Sequence, residues 1–147
     1  MPWKFNLQSD FSVFFLLLLV CFILHFPPIP GGFVLDDHYV IEQNPLIKNV
    51  GLLPQIFQTQ LFDSYKAGWS FNIPYYRPLV TLSFLFDYLT WGLNAFGFRL
   101  TNVFLHALNG FFVFLLIKDL TALRPRALLT ALIFAVLPPR SGWLIMW

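Results

Sequence analysis

RLTNVFLHALNGFFVFLLIK, residues 99–118, is the stretch that decides how this chain must be read. Between Arg99 and Lys118 no residue is charged, and Asn102, His106 and Asn109 stand out from a run of Leu, Phe and Val. About 20 such residues is the length an α-helix needs to cross the hydrocarbon layer of a bilayer. The composition agrees with a membrane chain. Of 147 residues 58% are hydrophobic and 11% charged, against about 25% charged in an ordinary soluble domain. A single core of this size could not hide so much apolar surface, so lipid must cover much of it. The net charge is +2 and the basic residues are scattered singly, which excludes the electropositive footprint of a nucleic-acid binder. One cysteine, Cys21, excludes an intrachain disulfide and any thiol-based redox or metal motif. It reads as a packing residue.

On the N-terminal side, Phe11 to Phe26 carries no charge, and Pro27, Pro28, Pro30, Gly31 and Gly32 then stop any helix. The first transmembrane helix is expected over 11–27. It reads as an uncleaved signal anchor, because residues 1–10 hold only Lys4 against Asp10 and no A-x-A-like site follows. On the C-terminal side, Ala127 to Leu137 becomes a third span, 127–138, if Arg126 and Arg140 snorkel from its ends. Lys118, Arg124 and Arg126 make the link 119–126 basic and therefore cytoplasmic. Residues 1–10 then lie inside, 28–98 form a long outer loop, and 139–147 are an outer end. Leu79 to Trp91 is bracketed by Pro78 and Gly92, carries Asp87, and at about 1.5 Å per residue is too short to cross. A helix over 78–91 is expected at the outer interface, with Trp69, Tyr75, Tyr76, Tyr88 and Trp91 as belt aromatics. A fourth crossing is the alternative and would put the basic link outside. The fold class expected is an all-α membrane protein with about three transmembrane helices and an outer loop containing juxtamembrane helices.

LDDHYVIEQNP, residues 35–45, places Asp36 and Asp37 just beyond the first helix. Carboxylates there are unremarkable alone, because any solvated loop tolerates them. Their neighbours raise the reading. Phe33 to Ile41, then Asn44-Pro45-Leu46, Tyr76-Arg77-Pro78-Leu79, and Phe98-Arg99-Leu100-Thr101-Asn102 with His106 follow one another in an order that resembles the N-terminal part of GT-C-fold glycosyltransferases. The resemblance is above all to membrane proteins that carry tetratricopeptide repeats behind a protein O-mannosyltransferase-like domain. It implies an N-terminal GT-C-like module, a catalytic acid in the first outer loop, a sugar donor on a polyprenyl phosphate, and a protein or glycan hydroxyl as acceptor. Asp36 and Asp37 stand at the acidic position, and Arg77-Pro78-Leu79 matches the basic-Pro-Leu element.

The chemistry gives these residue types a reason. A carboxylate base that takes the acceptor's proton supplies roughly 10²–10⁴-fold. Adjacent side chains diverge, so the second Asp would orient a backbone N–H, hold a divalent metal, or cap a helix beginning near His38. No cofactor follows from these residues beyond that open metal role, and three dispersed histidines make no ligand set. Arg77, with Arg99 second, would meet the lipid phosphate, where a fixed cation favours the transition state. Arg77 reads equally as a headgroup anchor, and Arg99 as a cap at the membrane edge. Asn102 and His106, with Asn109, form a polar stripe that joins helices by hydrogen bonds or marks a site. Leu137 and Gly142 stand where the family shows His and Glu. No repeat period is visible, and the chain reads as the front end of an enzyme whose partners include the bilayer and the remaining part of that enzyme. The competing reading is a membrane-anchored interaction or assembly subunit without catalysis. A bacterial inner membrane is the favoured location, the endoplasmic reticulum the alternative.

Overall fold

The computed structural model describes residues 7–25, 32–33, 37–59 and 76–137. Among these there is no strand. The order is α1 (Leu7–His25), a π-helical turn (His38–Glu42), 3-10 turns at Pro45–Ile47 and Val50–Leu52, α2 (Leu53–Ile56), α3 (Pro78–Trp91), α4 (Ala95–Thr121) and α5 (Arg124–Val136). Two compact units divide the chain. One holds α1, α5 and α4 from Arg99 onward; the other holds the turns, α2, α3 and α4 up to Phe98.

In the first unit, α1 buries Asp10, Val13, Leu17, Cys21 and His25, a stripe at helical spacing. This stripe joins Val103, Ala107, Phe111 and Phe114 of α4 and Ala127, Ala131 and Ala135 of α5 in one core. The three alanines recur every four residues, which lets backbones approach where lipid offers no hydrophobic drive to association. Pro125 occupies the first turn of α5, where its missing N–H is harmless. At one end of the unit the wholly buried Asp10 carboxylate accepts a hydrogen bond from Lys118 Nζ at 2.6 Å. The same Nζ lies 5.9 Å from the Phe114 ring centre. At the other end His25 Nε2 donates to the Ala135 carbonyl at 2.7 Å. These contacts set α1 and α5 running one way and α4 against them.

Among the described residues α4, with 27 residues, is the one helix long and apolar enough to cross a membrane. The apolar part of α1, Asp10–His25, is shorter. At about 1.5 Å per residue, the 13 residues of α5 reach only about 20 Å. One candidate span is therefore found where the sequence leads one to expect three. Outward, Phe15, Leu19 and Ile23 on α1, Phe112 and Leu116 on α4, and Leu129 and Ile133 on α5 are all exposed. Apolar surface this extensive is not kept in water.

The second unit is built on Phe33, Val40, Ile41, Leu46, Ile47, Ile56, Phe84, Leu85 and Phe98. Asn44, 1% exposed, holds its turns together. Its Oδ1 accepts from Leu46 N–H at 2.9 Å and its Nδ2 donates to the Val40 carbonyl at 3.2 Å. Asn49 repeats the first device, accepting from Gly51 N–H at 2.8 Å. In α3, Thr81, Phe84 and Leu85 face the core while Leu79, Phe86 and Leu89 are exposed. Gly92 ends the helix at φ 63°, ψ −151°, a conformation open to glycine and strained for other residues. Asn94 starts α4, its Oδ1 accepting from Phe96 N–H at 3.1 Å. A Cβ on Gly97 would overlap Trp91 at Cβ, Cγ and Cδ2, so the indole sits directly on the start of α4. Of the expected belt aromatics, Trp91 has this seat, Tyr76 donates its hydroxyl to the Phe57 carbonyl at 2.8 Å, and Trp69 and Tyr75 lie outside the described residues.

Lys118→Met removes the ammonium that pairs with the buried Asp10 carboxylate and is expected to lower stability by about 3–5 kcal/mol in unfolding titrations of the purified chain. Adding Asp10→Asn should recover most of that loss; an equal loss in the double variant would remove the charge coupling. Asn44→Ala, measured the same way, is expected to cost about 1–3 kcal/mol, because a buried N–H and a buried carbonyl lose their partner together.

Candidate functional site

The segment from Asp37 onward opens with a single π-helical turn, His38–Glu42. Such turns are rare and concentrate at functional sites. Asp37 has φ −59° and ψ −33° and is buried, at 7% exposure. Its side chain makes no capping bond to the turn, so the capping role left open for the second carboxylate is not Asp37's. The turn is fastened by other residues. His38 Nδ1 pairs with the Glu42 carboxylate one turn later, Lys48 Nζ donates to the Glu42 carbonyl, and Asn44 Nδ2 holds the Val40 carbonyl. Val40 and Ile41 anchor the turn in the core of its unit. Asp36 lies outside the described residues.

Arg77 belongs to the same unit and is exposed at the start of α3. Its carbonyl accepts from Val80 N–H at 3.1 Å and Thr81 N–H at 3.2 Å. Its side chain therefore springs from the N-terminal end of a 14-residue helix, where the helix dipole adds positive potential to that of the guanidinium. Pro78, the first residue of that helix, fixes the backbone without removing a needed donor. Asp87, which the sequence leaves either paired or solvated, is buried at 5% exposure.

Arg99, Asn102 and His106 belong to the other unit. Arg99 and Asn102 are half-buried. His106 is buried, with its ring 5.1 Å from Phe134 in a stack and 5.2 Å from His25 edge-on. It lies against the backbone of Phe134, Ala135 and Leu137, yet its Nε2 forms no hydrogen bond of good geometry. An interhelical hydrogen bond in this unit is made by His25, to which the sequence assigns no role. Because a carbonyl can only accept, the bond to Ala135 fixes the proton of His25 on Nε2. Ala135 is in the last turn of α5, where carbonyls lack intrahelical partners. His25 therefore closes α5 from a neighbouring helix. The signal for this lies in the spacing of Cys21 and His25 on the buried stripe of α1, but nothing in the sequence identifies the acceptor 110 residues away.

Among the described residues no group of three His, Cys, Asp or Glu side chains is arranged to hold a metal ion. Leu137 is exposed, and its N–H donates to the Ile133 carbonyl at 3.2 Å. Gly142 lies outside the described residues.

No protein-family profile matches the chain, and no solved structure matches it. Curated proteins do. The chain is 32% identical over 128 residues to protein O-mannosyl-transferase Tmtc1 of Drosophila melanogaster, covering 83% of this chain and 14% of the fly protein. It is 37% identical over 111 residues to protein O-mannosyl-transferase TMTC1 of Mus musculus and 35% over 112 residues to that of Homo sapiens, each covering 74% of this chain and 12% of the relative. The chain thus spans about an eighth of the length of the curated relatives it matches. Across most of its own length and a small part of theirs, it is a relative of the Tmtc protein O-mannosyl-transferases.

Proposed function

We propose that the chain is the acid-bearing front part of an O-mannosyltransferase-like enzyme of the GT-C type. In this reading a sugar moves from a polyprenyl phosphate to a protein hydroxyl on the non-cytosolic side of a membrane. The observation that carries it is Asp37, a buried carboxylate that does not cap its own turn, on a segment shared with proteins named for O-mannosyl transfer. Asp36 or Asp37 takes the proton of the acceptor hydroxyl as its oxygen attacks the anomeric carbon. The bond from that carbon to the phosphate oxygen breaks, and the polyprenyl phosphate leaves with the negative charge. Arg77, at the positive end of α3, meets that charge, and Arg99 is the second candidate. The animal origin of the relatives favours an endoplasmic reticulum membrane over a bacterial one.

Three spans, α1, α4 and α5, with residues 28–98 outside, are part of the same proposal. Support comes from the antiparallel course of α1 and α4, whose ends meet at Asp10 and Lys118. That puts the N-terminal end of α1 on the side of the basic link, as a loop leaving and re-entering from the opposite side requires. A second reading, a membrane-anchored assembly subunit without catalysis, draws on Leu137 and Gly142 in place of the family's His and Glu.

Two measurements test these readings. With this chain replacing the matched stretch of fly Tmtc1, Asp36→Asn and Asp37→Asn are each made, and mannose transfer is assayed against the unaltered chimera. Loss of at least about 10²-fold in one or both is expected of a catalytic base; unchanged transfer in both leaves the assembly reading. For topology, single cysteines at Asp63 and Thr121 in a Cys21→Ser background should react with a membrane-impermeant maleimide from the outside and only from the cytosol, respectively. Outside labelling at both sites restores the fourth crossing.

A further inference from the structure

Arg77 stands on a stretch that little buried surface supports. Tyr76, Arg77, Leu79 and Val80 are exposed, Pro78 is half-buried, and the first residue of α3 to enter the core is Thr81. A first turn with so little buried contact is the part of a helix that frays. Its own shape is set locally. Pro78 fixes one φ, and the Arg77 carbonyl closes the turn by accepting from Val80 and Thr81 N–H. Neither device fixes where the turn sits against the rest of its unit.

Tyr76 supplies that link. Its hydroxyl donates to the Phe57 carbonyl at 2.8 Å, across 19 positions of the chain. Phe57 caps the C-terminal end of α2, where carbonyls lack intrahelical partners and can serve a donor from elsewhere. The acceptor is firmly held. Ile56, just before it, is 1% exposed in the core of the unit, and Phe57 N–H donates to the Pro54 carbonyl at 3.3 Å. Support therefore runs from the core through Ile56 and Phe57 to the Tyr76 hydroxyl, and from there across one peptide bond to Arg77. Tyr76 as a whole is 58% exposed, so the hydroxyl, not burial of the ring, is what ties it to the unit.

We propose that Tyr76 is a positioning residue for Arg77: its hydrogen bond to the Phe57 carbonyl holds the guanidinium where the departing phosphate of a polyprenyl-phosphate sugar gathers charge. The inference rests on the reading of Arg77 as the cation that meets that phosphate. A cation already in place stabilises the transition state without being reoriented during the reaction, and a small misplacement forfeits much of the gain.

The test is a double-mutant cycle in the chimera with fly Tmtc1, read as kcat/KM for polyprenyl-phosphate mannose. Tyr76→Phe removes only the hydroxyl and is expected to lower kcat/KM about three- to tenfold, the range of one hydrogen bond. Arg77→Ala should lower it about 10²-fold. Added to Arg77→Ala, Tyr76→Phe should have no further effect, because a residue that acts through Arg77 then has nothing to position. In parallel, a nitroxide on Arg77→Cys in the full Cys21→Ser chain should become more mobile by electron paramagnetic resonance when Tyr76→Phe is introduced. Equal falls in both backgrounds would mean that the hydroxyl only maintains the folded fraction, and the proposal is overturned. Unchanged kcat/KM for Tyr76→Phe beside a damaging Arg77→Ala overturns it and leaves the phosphate role of Arg77 standing, and a nitroxide whose mobility does not change overturns the tether. If Arg77→Ala itself leaves transfer unaltered, the phosphate role of Arg77 falls and the proposal falls with it, whatever the nitroxide shows.

Discussion

Polar groups withdrawn from water must find partners inside the protein, and the architecture of this chain follows from where each one does so. Asp10 finds Lys118, the imidazole of His25 finds a last-turn carbonyl of α5, and the amide of Asn44 serves two backbone groups at once. Each pairing joins elements that apolar packing alone would leave free to slide. Leu and Phe side chains on α1 and α4 could pack in several registers with little change in energy. A carboxylate and an ammonium at opposite ends of those helices admit one.

The same rule marks what the sequence makes legible. Uncharged length identifies α4, and the bracketing Pro78 and Gly92 delimit α3, because chain length, ring closure and positive φ are local properties. The extension of α4 back to Ala95 depends on Asn94 as a cap, again a local cue. What cannot be read locally is the partner of a residue. The Asp10–Lys118 pair spans 108 positions and the bond from His25 to Ala135 spans 110. Reading Lys118 only as a charge that orients the basic link misses that it neutralises a buried acid. Trp91 looks from composition like an interfacial aromatic, and its place on Gly97 emerges only when the turn between α3 and α4 brings them together.

The candidate site divides along the same line. The carboxylate pair and the arginine before Pro78 stand out in the sequence because four short elements recur in order. The support beneath Asp37 does not stand out. Asn44-Pro45 reads as a turn signal, yet its value lies in the two hydrogen bonds that fasten the residues behind the acid. His106 shows the converse. A histidine in an apolar helix looks like a hydrogen-bonding device, and here its ring is chiefly a packing surface between Phe134 and His25.

The separation of Asp10 from Lys118 also has a consequence in time. A ribosome adding roughly 5–20 residues per second completes the helix that carries the acid long before the lysine, 108 positions later, exists. For about 5–20 s the nascent chain holds a carboxylate whose eventual counter-ion has not been made. Over that interval the acid lacks the ammonium that pairs with it in the finished unit. Formation of this pair is thus gated by the emergence of Lys118, and a pause in translation before it would prolong the interval without altering a single contact of the finished fold.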